Sequence, residues 1–171
     1  VIEDCSVIVI TVGTPLVESD PDTSAVETAT SSIGPHIENG DLVIYRSTLP
    51  AGTTEETLRP ILDESSGLAA GEDYALAFCP ERMAEGSAYH DLTSIPVVGG
   101  GYTDSCQKRV EQFWQQVNQE TVAVSSPTAA ELSKLADNLW IDLNIALANE
   151  IALLSEELGA NAMEVIEAAN S

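Results

Sequence analysis

Between Ser126-Pro127 and Gly159 the chain runs from Thr128 to Leu158 without a glycine or a proline. Serine followed by proline is a strong helix start, because proline's missing N–H falls on a position that has no intrahelical partner. A glycine just past the last helical residue is the matching stop. The stretch predicts one helix of about 30 residues, roughly 45 Å long at 1.5 Å per residue. Such a helix has more apolar surface than one small sheet can cover, so it must pack against something else. Asn161 then caps a shorter helix predicted through Ala169.

Upstream of Ser125 the pattern is different. Cys5 to Val12 (CSVIVITV) is a near-continuous β-branched run, as expected of a strand buried on both faces of a parallel sheet, and Gly13-Thr14-Pro15 ends it. An acidic loop through Asp20-Pro21-Asp22 leads to a helix over Ala25 to Ile37, interrupted near Gly34-Pro35. Further strands are predicted at Leu42 to Tyr45, Tyr74 to Phe78, Ile95 to Val98 and Thr121 to Val124. Between them, Thr53 and Glu56 form a capping-box pattern opening a helix to about Asp63, and Thr103 is placed to cap a helix to about Val117. Gly99-Gly100-Gly101 reads as a turn. Its spacing is not that of a phosphate loop, and no Gly-x-Gly-x-x-Gly is present. Alternating strands and helices followed by one long helix predict an α/β class fold, a doubly wound parallel sheet leading into a helical second domain.

Charge narrows the function classes. There are 28 Asp+Glu against 6 Lys+Arg, a formal net charge of -22. Nucleic-acid binding is excluded, since it needs cations to displace the counterions of a polyanion. Disorder is excluded too, because 44% of residues are hydrophobic and a core can form. So acidic and lysine-poor a chain suits concentrated salt, where the Debye length is about 3 Å at 1 M; an acidic protein of an ordinary cell is the alternative. The cysteines, Cys5, Cys79 and Cys106, are odd in number and lack Cys-x-x-Cys spacing, so neither a disulfide framework nor a metal site is indicated. No membrane span or basic signal segment is evident, and a soluble, cytoplasmic protein is expected.

In parallel α/β sheets ligands bind beyond the carboxyl ends of the strands. Three such ends carry polar residues: Gly13-Thr14-Pro15, Ser47-Thr48, and Cys79-Pro80-Glu81-Arg82 on to Glu85-Gly86. On the long helix, Lys134 and Asn138 are four apart and share a face. Together they can polarise a carbonyl or hold a developing oxyanion; a solvated helix face is the plainer reading. Arg46, Arg82 and Lys134 are half of the 6 cations and fall in or beside these segments, where an anionic ligand would need them. Pairing of each arginine with a neighbouring carboxylate is the competing explanation.

The ordered motifs Val12-Gly13-Thr14-Pro15, Ser47-Thr48-Leu49-Pro50-Ala51-Gly52-Thr53, Cys79-Pro80-Glu81-Arg82 and Ala130-Glu131-Leu132-Ser133-Lys134-Leu135-Ala136-Asp137-Asn138 resemble those of the UDP-glucose/GDP-mannose dehydrogenase family. The resemblance covers nearly the whole chain. Phe78 to Arg82 and Asn144 to Glu150 are most similar to the members acting on UDP-N-acetyl-D-mannosamine; members acting on UDP-glucose usually carry Asn-Pro-Glu-Phe-Leu at the first of these places. The resemblance implies oxidation of a UDP-sugar C6 alcohol to the carboxylate, with NAD as cofactor and an aldehyde captured by a cysteine. It implies that Thr48 holds the hydrolytic water and lines the nicotinamide site, and that Gly13 and Thr14 meet the cofactor. Glu81 would be the acid/base on the covalent intermediate, with Glu85 near the cofactor and that water. Lys134 and Asn138 would stabilise the oxyanion, and the turn of Phe78, Pro80, Glu81, Arg82 and Met83 would wrap the substrate.

By the same resemblance, residues 1–125 would be the C-terminal half of a Rossmann-like NAD-binding domain. Residues 126–171 would begin an all-α central domain through which the family dimerises. The family's nucleophilic cysteine lies beyond the long helix and its Gly-x-Gly-x-x-Gly upstream of Val1, so the chain alone is expected to be inactive. Cys79 sits in the substrate-wrapping turn and is expected to be structural. UDP-glucose 6-dehydrogenase remains an alternative, as does a β-hydroxyacid dehydrogenase, which also spaces Lys and Asn four apart. A non-catalytic nucleotide-binding or dimerisation module of flavodoxin-like shape is the third.

Overall fold

The computed structural model describes residues 4–83, 86, 88–117 and 120–171, with backbone alone at 88, 89 and 92. It divides into two compact units, Val1–Lys134 and Leu135–Ser171.

In the first unit the apolar runs become strands β1 (Val7–Ile10), β4 (Leu42–Tyr45), β5 (Ala75–Phe78), β6 (Val97–Gly101) and β7 (Thr121–Val124), hydrogen-bonded in the order β1-β4-β5-β6-β7. Adjacent strands β1, β4 and β5 are parallel, with Ile10 beside Tyr45 and Tyr45 beside Phe78. Two further strands, β2 (Leu16–Val17) and β3 (Asp20–Pro21), form a separate antiparallel ribbon turned by left-handed Glu18 and Ser19.

Successive side chains of a strand point to opposite faces, and β4 and β5 use both. Val43, Tyr45, Leu76 and Phe78 pack on one side with Val26, Leu58 and Leu62. Leu42, Ile44, Ala75, Ala77 and Cys79 pack on the other with Cys106, Val110 and Trp114. The first layer is supplied by α1 (Ser24–Ile33) and α2 (Arg59–Ser66), the second by α4 (Asp104–Trp114). Helices on both faces make the fold doubly wound, as the sequence predicts. Thr103 caps α4 as expected, its hydroxyl accepting from the Cys106 N–H at 3.3 Å. At the break near Gly34-Pro35 the first helix gives way to a 3-10 turn, Gly34–His36.

Several local expectations are corrected. The sheet is not wholly parallel, because β5 and β6 run antiparallel, with Ala77 opposite Gly101. Nor is β1 buried on both faces: Val9 is 38% exposed, and β1 has a pairing partner on one side among the described residues. Gly99-Gly100-Gly101 is not a turn but the end of β6. A Cβ on Gly100 would come within 2.1 Å of the Ser126 carbonyl oxygen, and one on Gly101 within 2.2 Å of the Gln107 nitrogen. Those glycines let the helix after Ser126, and α4, lie against the strand backbone.

The capping box is also unmade. Thr53 is itself helical (φ -57, ψ -42), and its hydroxyl donates to the Pro50 carbonyl at 2.7 Å. The next residues form a π-helical turn, Thr54–Leu58, running into α2, which left-handed Gly67 terminates. A short helix α3 (Ala88–Ser94) precedes β6, where no helix was expected.

The long helix α5 (Pro127–Leu158) has the expected bounds. Its first turns belong to the first unit, where Ala130 is buried in the core. The second unit holds the rest of α5 and α6 (Ala162–Ala169), whose Asn161 cap accepts from the Met163 N–H at 3.0 Å. Taken by itself this unit leaves Leu139, Trp140, Ile141 and Leu143 more than half exposed, Trp140 by 71%. Among the described residues no helix is long and apolar enough to cross a membrane.

Candidate active site

Because β1, β4 and β5 are parallel neighbours, the segments after them leave from one edge of the sheet. Pairing continues into those segments. The Arg46 N–H donates to the Ile10 carbonyl at 2.9 Å and the Cys79 N–H to the Tyr45 carbonyl at 2.8 Å. Side chains extend the contact: the Ser47 hydroxyl donates to the Val12 carbonyl and the Thr14 hydroxyl to the Thr48 carbonyl, each at 2.6 Å. A longer bond from the Glu81 N–H to the Arg46 carbonyl, 3.4 Å, joins the third segment to the second. Gly13, Thr14, Thr48 and Glu81 are thus brought together by backbone geometry. Short polar side chains past β1 and β4, those of Thr14 and Ser47, tie the first two segments, and a backbone bond ties the third.

The Thr48 side chain is exposed, and a Cβ on Gly13 would meet nothing within 4 Å. Open space beside a glycine and two uncharged hydroxyl-bearing residues at the strand ends fit a dinucleotide, which needs close backbone approach and no opposing carboxylate.

Arg46 lies beneath this edge. It is only 8% exposed, its guanidinium sits 4.7 Å over the Trp114 ring, and its Nη1 donates to the Cys79 carbonyl at 3.4 Å. Burial lowers its pKa, and the Cys79 and Glu81 groups oppose that shift. Stacking on an aromatic face, not a simple carboxylate pair, therefore accounts for much of its placement. Arg46, Pro80, Arg82 and Met83, with Asp91 and Ile95, line a shallow open concavity. The Glu81 carboxylate accepts the Met83 N–H and so shapes its own turn.

The remaining candidates fall elsewhere. Phe78 is fully buried in the core, so it anchors the turn from within. Cys79 is fully buried as well, and burial pushes its thiol up to about 12. Such a thiol is protonated at neutral pH and no nucleophile. Lys134 is half-buried at the end of the first unit, and Asn138 is exposed in the second, both on α5. Glu85 lies outside the described residues.

One residue was not foreseen. Glu131 is fully buried on α5, one helical turn before Lys134, and its carboxylate accepts from the Gly52 N–H and from both the N–H and hydroxyl of Thr54. The spacing of three from Lys134 was a visible hint, since such residues share a helix face.

Residues 1–118 match the NAD binding domain of the UDP-glucose/GDP-mannose dehydrogenase family, and residues 128–171 match its central domain. The chain is 37% identical over 166 residues to the UDP-N-acetyl-D-mannosamine dehydrogenase of Pyrococcus horikoshii, covering 97% of this chain and 40% of that protein. It is 36% identical over 172 residues to the UDP-N-acetyl-D-glucosamine 6-dehydrogenase of Pseudomonas aeruginosa, covering 99% and 41%. The solved UDP-D-ManNAc dehydrogenase of Pyrococcus horikoshii superposes with a TM-score of 0.92 at 37% identity, over 99% of this chain and 41% of that one. The chain therefore spans about 40% of the length of these relatives. The cofactor of the matched domain is NAD, as the motifs implied. On two successive domain matches and these identities, the chain belongs to the UDP-glucose/GDP-mannose dehydrogenase family.

Proposed function

We propose that this chain is part of an NAD-dependent 6-dehydrogenase that converts UDP-N-acetyl-D-mannosamine to UDP-N-acetyl-D-mannosaminuronate. The observation that carries the reading is the tie between Thr14 and Thr48, with the Arg46 to Glu81 bond beside it, which gathers the segments after β1, β4 and β5 at one edge. Identity to relatives acting on UDP-N-acetylhexosamines supports the substrate class.

NAD, when bound beside Gly13, Thr14 and Thr48, supplies the acceptor for hydride leaving C6. The chain's own residues manage charge and water. The exposed Thr48 hydroxyl orients a water at the edge of the nicotinamide site. Glu81, on a turn fixed by its own bond to the Met83 N–H, moves the proton of the reacting oxygen. Lys134 donates to the oxygen as negative charge develops, with Asn138 as second donor. Arg82 and the Pro80 to Met83 backbone wrap the sugar nucleotide, with Phe78 as the buried anchor.

Residues 1–125 act as the C-terminal half of the NAD-binding domain and 126–171 as the start of the central domain. The exposed apolar side chains Trp140, Ile141 and Leu143 support pairing of two copies through α5. Free Cys79 and Cys106 support a reducing, cytoplasmic setting. The 171-residue chain alone produces no uronate, because Cys79 and Cys106 are buried, the exposed Cys5 precedes β1 at the strand end opposite Gly13, and no Gly-x-Gly-x-x-Gly is present. NADH formation by the full reading frame that carries this chain, offered UDP-N-acetylmannosamine, UDP-N-acetylglucosamine and UDP-glucose in parallel, tests the reading. Preference for UDP-glucose would overturn the assigned sugar, and no NADH with any of them would overturn the activity.

A further inference from the structure

Two helix starts in the first unit satisfy each other. The N–H groups at the start of a helix have no partner within it, and the π-helical turn Thr54–Leu58 offers those of Gly52 and Thr54 to Glu131. Glu131 Oε2 accepts from Gly52 at 2.6 Å; Oε1 accepts from the Thr54 N–H at 2.8 Å and from the Thr54 hydroxyl at 2.6 Å. In return Glu55, on that same turn, accepts the Thr128 N–H at 3.2 Å and the Thr128 hydroxyl, in the first turn of α5.

The capping box that Thr53 and Glu56 could form would not reach these donors: Thr53 Oγ1 turns to the Pro50 carbonyl, the Thr53 and Glu56 N–H groups go to the Pro50 and Gly52 carbonyls, and the Gly52 and Thr54 N–H groups go to a residue 79 and 77 positions away. Burying a carboxylate is costly, and apolar residues of similar volume usually stabilise a core at least as well. A long-range carboxylate does something a local cap does not: it fixes one element against another. Here it fixes the loop that carries Thr48 against the turn of α5 that precedes Lys134. At its other end the same loop is held by the bonds from Ser47 to Val12 and from Thr14 to Thr48.

We propose that Glu131, reciprocated by Glu55, is a positioning residue that holds the Thr48 to Thr54 loop in register with the Lys134-bearing turn of α5. The role rests on the dehydrogenase reading, since Thr48 and Lys134 are the groups it would bring to the reacting carbon. Misplacing either by about 1 Å is enough to cost up to a hundredfold in rate.

The test uses the full-length enzyme with Glu131→Gln, which keeps the side chain's shape, and with Thr54→Val, which removes one donor should the first variant fail to fold. Expected for Glu131→Gln are a kcat lower by about ten- to a hundredfold, a KM for the UDP-sugar within about threefold of wild type, and hydrogen exchange at Gly52 and Thr54 at least about tenfold faster. Exchange at Val43 and Ile44 in β4 should not change. Thr54→Ser, which keeps the hydroxyl, is expected to retain near wild-type kcat where Thr54→Val loses it. Faster exchange with unchanged kcat would reduce Glu131 to a cap and overturn the proposal, as would unchanged exchange. A wild-type enzyme with no dehydrogenase activity would overturn the functional reading and the kinetic role together. That failure is distinguishable, because the exchange measurement needs no substrate.

Discussion

The Thr14 hydroxyl donates to the Thr48 carbonyl at 2.6 Å, across the ends of two adjacent parallel strands and 34 residues of sequence. It is an exposed bond, worth about 1 kcal/mol or less to the fold. Its value to a ligand is larger, because it sets the spacing of the two segments on which NAD would lie. Thr14→Val is expected to shift Tm by only a few degrees while lowering kcat/KM for NAD in the full-length enzyme by about tenfold or more. Unchanged NAD kinetics would remove Thr14 from the cofactor site.

Two glycines are expected to respond oppositely to one methyl group. Gly13 has open space where a Cβ would stand, so Gly13→Ala should melt like wild type yet bind NAD more weakly. At Gly100 the added Cβ would lie 2.1 Å from the Ser126 carbonyl oxygen and 3.0 Å from the Ala130 Cβ. Gly100→Ala should therefore destabilise by about 1–3 kcal/mol or more through overpacking. Thermal melts of the two variants decide the matter, and equal Tm values would contradict it.

Alkaline pH should weaken the fold. Burial raises the Cys79 thiol from 9.0 to about 12 and raises the Tyr45 and Tyr74 phenols above 10.0. The unfolded chain gives up these protons first, so stability is fully present below about pH 9 and is lost as pH climbs toward the folded values. Each group contributes a slope of up to about 1.4 kcal/mol per pH unit in that window. Urea midpoints at pH 7 to 11 would show it. In the same samples Cys79 should resist alkylation until the protein unfolds, and rapid labelling of native Cys79 at pH 8 would contradict its burial.

What the sequence made legible was what local chemistry decides. The β-branched runs became strands, Pro127 and Gly159 bracket α5, and Thr103 and Asn161 cap the helices they precede. What it hid depends on distant partners. Gly99 to Gly101 read as a turn because nothing local marks the close approach of Ser126 and Gln107. The direction of β6 is set by how the chain returns to the sheet, not by its own residues. Thr53 and Glu56 matched a local cap, but Thr53 is itself helical and its hydroxyl goes to the Pro50 carbonyl, while Glu131 takes the neighbouring Gly52 and Thr54 donors from another element. The meeting of the segments after β1, β4 and β5, which carry Gly13, Thr14, Thr48 and Glu81, was legible from the strand ends, whereas Glu131 stood in a family motif without a role.

Salt should matter to stability. The sequence carries a formal net charge of -22, and among the described residues the buried carboxylates are Asp41 and Glu131. Self-repulsion is screened over about 3 Å at 1 M salt but only over about 10 Å at 0.1 M. A fall in Tm on dilution from molar salt is expected, and a Tm indifferent to salt would remove the inference of adaptation to concentrated brine.

The most direct measurement is stoichiometric. Full-length enzyme given limiting UDP-N-acetylmannosamine and excess NAD should yield two NADH and one UDP-N-acetylmannosaminuronate per sugar consumed, because alcohol to carboxylate is a four-electron oxidation. One NADH per sugar with aldehyde accumulating, or no NADH at all, would contradict the assignment.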